Sequence, residues 1–175
     1  MLDLQRKEAI SIRDQIQNKE EKQKAAAKSL LPFVHLEDKI AVYIPIGSEM
    51  DIYHLLKNEH HFPNLLVPKM MPHRQMIFAR DDHLKPNKMG ILEPEDPIEE
   101  IPDVIIAPLL KFKEEGHTLY RMGYGGGYYD RYLKNFKGKV IALAFDEQQQ
   151  DFEVQPWDQP IDMIITPTRV LKSEG

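Results

Sequence analysis

Residues 121–133 read RMGYGGGYYDRYL, and the rest of the chain is best understood as scaffold or partner to this stretch. Gly123, Gly125, Gly126 and Gly127 fall within five positions and are followed at once by Tyr128, Tyr129 and Asp130. Lacking a Cβ, the backbone there takes positive φ and approaches a ligand closely. That freedom costs about 0.5–1 kcal/mol per glycine relative to alanine in a regular element. A glycine run flanked by large aromatics is poor filler. From Gly127 to Asn135 (GYYDRYLKN) the chain reads as a helix, with Asp130 in its first turn and Lys134 near its last, as the helix dipole prefers. A glycine loop running into a helix start aims unpaired N–H groups at one point, and Arg121 adds a fork of donors beside them. An anion or nucleotide loop is one reading. A structural turn packed by its own tyrosines is the other, because neither G-x-x-x-x-G-K-[ST] nor a well-placed G-x-G-x-x-G is present.

Working outward, DVIIA (103–107) precedes the loop and KVIALAF (139–145) follows its helix. Both are near-continuous apolar runs of strand length, as a parallel sheet covered on both faces requires. KIAVYIPI (39–46), LLVP (65–68), QMIFA (75–79) and DMIIT (162–166) add further strands, with Val170 and Leu171 trailing the last. Residues 4–31 read as two helices broken near Gln17. The stripe of Ala9, Ile12 and Ile16 lapses there and resumes at Ala26 and Leu30, and Asn18 with Glu21 matches a capping box. Residues 51–58 read as another helix, and the proline-rich stretch 85–102 as an irregular loop wrapping the surface. The pattern predicts one α/β domain over residues 1–175: a mainly parallel open sheet flanked by helices in three layers, with N-terminal helices. Loops leaving the carboxyl ends of strands carry the ligands in such sheets, which makes Glu49 a candidate. As a bland alternative, Glu49 is a helix-leading acid complementing a dipole. Arg6, Lys7 and Arg13 are read, on composition alone, as a solvated helix face.

Composition narrows the function. At 175 residues the chain suits one domain with a real core. The absence of cysteine excludes disulfides, a thiolate nucleophile and Cys-based zinc sites. No apolar run approaches the ~20 residues that span a bilayer, and the start MLDLQRKE is polar, so a cytoplasmic protein without membrane contact is expected. A net charge of -5 argues against nucleic acid as partner.

The glycine block, followed by ALAFDEQ and VQPWDQPIDMIIT and preceded by YIPIGSEMD, VPK and GILEP, resembles the 5-formyltetrahydrofolate cyclo-ligase (5,10-methenyltetrahydrofolate synthetase) family over nearly the whole chain. The resemblance implies an ATP- and Mg2+-dependent ring closure of 5-formyltetrahydrofolate to 5,10-methenyltetrahydrofolate, with release of ADP and phosphate, in a protein expected to be a monomer. It implies ATP contacts from Arg6, Arg121, Met122, Gly123, Tyr124, Gly125, Gly126, Gly127, Tyr128 and Tyr129. Substrate contacts fall on Arg6, Ile44, Glu49 and residues 124–128, the substrate being folinate with or without a polyglutamate tail. Arg121 and Tyr128 are the implied catalytic residues, and Asp130 and Asp162 the magnesium-associated acids. Two positions depart from the pattern. The family's lysine four residues before the matched arginine is Leu2, with Lys7 as a candidate substitute, and the glycine expected two before Arg121 is displaced to Gly116. Residues alone leave two rivals, a sugar-phosphate isomerase on the same sheet and a non-catalytic nucleotide or folate binder.

Overall fold

The computed structural model describes residues 2–174. Helices α1 (Leu2–Asp14) and α2 (Lys19–Leu30) come first, broken where expected. The expected capping box does not form: Asn18 turns the chain by adopting a left-handed backbone (φ 56) and its side chain caps nothing. Strand β1 (Ile40–Val42) is shorter than its apolar run because the chain leaves the sheet at Tyr43 to reach the site. One turn of π-helix, Leu55–Glu59, leads to β2 (Leu65–Met71) and β3 (Gln75–Arg80). Then come β4 (Leu84–Pro86), β5 (Leu92–Pro94), β6 (Val104–Ile106), β7 (Lys111–Glu115) and β8 (Thr118–Met122). The chain closes with α3 (Tyr128–Leu133), β9 (Lys139–Leu143), β10 (Met163–Ile165) and β11 (Val170–Lys172).

Seven strands form one sheet in the order β11-β10-β9-β6-β1-β2-β3. Its inner pairs are parallel, and only the edge strands β3 and β11 run antiparallel. The predicted three-layer α/β architecture is therefore the one observed. Period-two alternation explains why the central runs contain almost no polar residue. Ile40 and Val42, Val104 and Ile106, and Ile141 and Leu143 face the core beneath α2, whereas Ala41, Ile105, Val140 and Ala142 face the core beneath α3. Each face is buried, so both sets must be apolar.

Two hairpins were not expected. Within the proline-rich stretch, β4 and β5 pair with Lys85 opposite Glu93, and Pro86 and Pro94 sit at the ends of the two-stranded ribbon, where a missing N–H costs no ladder bond. The displaced Gly116 (φ +64) turns the second hairpin, β7–β8, which buries Phe112 and Leu119 and makes Arg121 a strand residue.

The segment leading into β6 is fastened to the sheet edge by an ion pair. Arg80 grips Glu100 with two donors, Nε at 2.7 Å and Nη2 at 3.2 Å, and Lys39 Nζ adds a third at 3.1 Å. Bonding from Arg80, then from Lys39, holds the Glu100 carboxyl at about 2, against an ordinary 4.5. Because this folded-state value is depressed, the pair's stabilisation is complete above about pH 4.5 and is lost as pH falls towards 2. Glu100→Gln is expected to lower the unfolding midpoint at neutral pH and to flatten the acid-side loss. An unchanged acid limb in the variant's thermal melts would contradict the clamp.

Candidate functional site

Beyond the carboxyl ends of the parallel strands lies a cavity of about 800 Å3, within the usual range for small-molecule sites. Its floor comprises the loop after β1, the segment Pro108 after β6, and the glycine loop between β8 and α3. Leu2, Arg6, Ile10 and Arg13 of α1 wall one side, and Met89, Ile91 and Leu92 of the β4–β5 hairpin another.

Arg121 is buried, 4% exposed, beneath the glycine loop. Its Nη1 donates to the Pro108 carbonyl at 2.8 Å, and its guanidinium lies 5.3 Å over the Tyr129 ring. A Cβ at Gly123 would stand 2.7 Å from Arg121 Nη1, so glycine lets the loop lie on the guanidinium without displacing it. Gly125 is needed for a different reason, its φ of +101 with Arg6 packed against it. Arg6 Nε donates to the Gly123 carbonyl at 3.1 Å, and Arg74 Nη1 reaches the Gly126 carbonyl at 2.7 Å. No backbone N–H from Gly123 to Asp130 donates to an acceptor among the described residues. Arg121 Nε and Tyr129 Oη are likewise buried without a partner, on residues that line the cavity. Burial, followed by the charge on Glu49, pushes the Tyr129 phenol well above its ordinary range, while Arg121 works against this.

Opposite the glycines, Glu49 is held at both oxygens: Oε1 accepts the Ile46 N–H at 2.8 Å and Oε2 the Tyr124 hydroxyl at 2.8 Å. Tyr124 in turn accepts from Arg13 Nη1 at 2.6 Å, and Arg13 Nε donates to Ser48 Oγ at 2.8 Å. Ser48 also bonds Asp14, so the end of α1, the loop after β1 and the glycine loop are fastened together. Burial raises the Glu49 carboxyl above its ordinary value. The Tyr124 and Ile46 bonds and the Arg13 charge pull it back.

A model of the 5-formyltetrahydrofolate cyclo-ligase family matches residues 3–167. The chain belongs to that family. The Mycoplasma genitalium 5-formyltetrahydrofolate cyclo-ligase is 32% identical over 135 residues, covering 72% of this chain and 70% of that protein. The Escherichia coli K12 5-formyltetrahydrofolate cyclo-ligase is 29% identical over 178 residues, covering 88% and 92%. The solved Aquifex aeolicus 5,10-methenyltetrahydrofolate synthetase superposes with a TM-score of 0.81 at 28% identity, over 100% of this chain and 94% of that one.

Of the positions matched to the family's functional residues, Arg6, Ile44, Glu49, the whole run from Arg121 to Tyr129, and Asp130 line the one cavity. Asp162 does not join them. It sits just before β10, exposed, with Oδ2 accepting the Val140 N–H at 2.8 Å at the entry end of β9, while the cavity is at the opposite, carboxyl end of the sheet. The carboxylate beside Asp130 is Asp158, raised above its ordinary value by burial and then by the charge of Asp130, with Arg121 and Arg6 opposing. Lys7 is exposed and absent from the cavity wall, so it does not take the place of the lysine missing at Leu2. His117 faces solvent beside Glu174.

Arg13, assigned from composition to a solvated face, is instead 4% exposed and part of the site. Seven residues are nearly two helical turns, so Arg13 shares a face with Arg6. Once Arg6 is placed at the site, this spacing calls Arg13 there as well.

Three substitutions test these placements. Asp130→Asn is expected to lower turnover about 10²-fold. Asp162→Ala should leave turnover near wild type and cost about 1 kcal/mol of stability by freeing the Val140 N–H; steady-state rates and denaturant melts decide, and a collapse of turnover in Asp162→Ala contradicts the placement. Arg13→Gln removes a charge that lowers the Glu49 carboxyl, so the acid limb of kcat/KM for a folate substrate should move to higher pH. An acid limb that stays in place would show that Arg13 does not set the ionisation of Glu49.

Proposed function

We propose that this protein converts 5-formyltetrahydrofolate to 5,10-methenyltetrahydrofolate with consumption of ATP and release of ADP and phosphate. The observation that carries the proposal is the row of acceptor-free N–H groups from Gly123 to Asp130, laid over the buried Arg121 guanidinium. Such a surface is complementary to phosphate oxygens, and in the same cavity Glu49 offers a fixed pair of oxygens to the N–H groups of an aminopyrimidine edge. A site with both faces suits joining a phosphoryl donor to a pterin.

A formamide carbonyl is a poor electrophile, because direct attack by the neighbouring amine would expel an oxide. The formyl oxygen therefore attacks the γ-phosphorus, the bond to ADP breaks, and the oxygen becomes a phosphate ester. The amine at folate position ten then closes on the formyl carbon. The C–O bond breaks, phosphate leaves, and the amine's proton passes to the departing phosphate or solvent. Nothing in this sequence needs a strong protein base or a covalent nucleophile; it needs in-line positioning and neutralisation of charge. Arg121 and the glycine-loop amides supply both at the transferred group. Tyr128, whose ring packs against Gly126 at the start of α3, closes the cavity beside the reacting oxygens and excludes water from them.

No group of three His, Cys, Asp or Glu side chains among the described residues forms a cage for a metal. Asp130, with Asp158 next to it, fits a Mg2+ ion that takes most of its oxygens from phosphate and water, and such an ion would screen the developing charge. The Asp130–Asp162 pair does not fit one.

The test is direct. Incubation with folinate and MgATP is expected to give the methenyl chromophore and phosphate in equal amounts, and omission of either substrate should abolish both. A chromophore that forms without ATP, or ATP hydrolysis indifferent to folinate, would overturn the proposal.

A further inference from the structure

The β2–β3 hairpin turn carries a feature the reaction above does not use. His73 and Arg74 adopt successive left-handed backbones, φ 61 and φ 58, which non-glycine residues rarely do. The strained turn projects Arg74 away from its own sheet edge and over the glycine loop, where Nη1 donates to the Gly126 carbonyl at 2.7 Å. Gly126 and Gly127 flank one peptide unit, and with no Cβ on either side that unit, like the Gly125–Gly126 unit before it, rotates more freely than the rest of the chain. Arg74 is the one side chain among the described residues that bonds its carbonyl. All peptide bonds of the described chain are trans. In a trans peptide the C=O and the following N–H point in opposite directions, so a carbonyl turned towards the hairpin turns the Gly127 N–H away from it.

We propose that Arg74 is a positioning residue for the phosphoryl donor: by holding the Gly126 carbonyl it fixes the Gly127 N–H in the orientation that receives a phosphate oxygen. The inference rests on the nucleotide reading of the loop given above. Arg6 does the same for the Gly123 carbonyl and the Tyr124 N–H from the other side of the cavity, so the loop is held between two guanidinium groups drawn from distant parts of the chain. Without Arg74 the Gly126–Gly127 peptide samples both orientations, and nucleotide binding must select one.

Calorimetric titration of MgADP and, separately, of folinate into wild type, Arg74→Ala and Arg74→Lys tests this, alongside NMR of the Gly127 amide. Arg74→Ala is expected to weaken MgADP binding about tenfold, to leave folinate binding and the melting temperature unchanged, and to enlarge the shift that saturating MgADP causes at the Gly127 amide, because the nucleotide-free peptide no longer starts in the bound orientation. Arg74→Lys, which keeps one donor, should recover part of the affinity. Equal MgADP affinity in wild type and Arg74→Ala would overturn the role of Arg74 while leaving the proposed reaction standing. Wild-type protein that binds no MgADP would overturn both. If Arg74→Ala melts early, Arg74→Lys carries the comparison, and a Gly127 shift of wild-type size at reduced stability would make Arg74 merely structural.

Discussion

A guanidinium buried without an ion-pair partner among the described residues is the constraint on which the site depends. Arg121 is 4% exposed, and its partners among the described residues are the Pro108 carbonyl and the face of Tyr129, neither of which carries a negative charge. Withdrawing a cation from water costs several kcal/mol unless it is compensated, and one carbonyl with one aromatic face compensates it incompletely. Several local choices follow. Any side chain at residue 123 would push the guanidinium aside, because the loop lies directly on Nη1. The β7–β8 hairpin must exist, because it carries Arg121 under the loop from below. On the proposed reading the deficit is also useful, since an anion arriving above the loop would supply the charge that the fold withholds.

The parts of this architecture that could be read from sequence are those governed by one rule at a time. Ile40–Val42, Val104–Ile106 and Lys139–Leu143 are apolar on both faces, and only a strand inside a covered parallel sheet needs that. The β7–β8 hairpin escaped because its inward positions alternate as they should, but one of them holds Arg121 where a hydrophobe is the usual signal. A buried charge displaced the pattern at that position. In β4–β5 the prolines read as breakers, although at the ends of a free ribbon they break nothing. The site residues matched through the glycine block were brought together by the fold, and Asp162 was not, because a carboxylate near a strand start can cap a sheet as readily as hold a metal.

Helix α1 shows how a polar helix earns its place on an α/β core. Ala9 is buried, but much of the helix's cavity face is charged, with Arg6 and Arg13 two turns apart. What fastens that face is bonding to loops: Arg6 to the glycine loop, Arg13 to Ser48 and Tyr124. These loops also present Glu49, so its geometry is coupled to that of the glycine loop through Tyr124. Leu2, on the same face one turn before Arg6, lines the cavity with an apolar side chain where the family pattern has a lysine. Positive charge along α1 therefore begins at Arg6.

That placement bears on how a chain of net charge -5 would hold the polyphosphate of the proposed reaction. At physiological ionic strength, charges more than about 8 Å apart across solvent are largely screened. Exposed acids farther from the loop than that thus contribute little there. Within that distance the balance is local, and it is set by Arg6 and Arg74 on the loop carbonyls, Arg121 beneath them, and the Asp130–Asp158 pair beside them. Two adjacent carboxylates repel a phosphate chain on their own. Next to a divalent cation they would instead fix where that cation sits, and the three guanidinium groups would face the remaining phosphate charge. Nucleotide affinity on the proposed reading is consequently a property of about a dozen groups around one loop, and the sign of the whole molecule's charge has little influence on it.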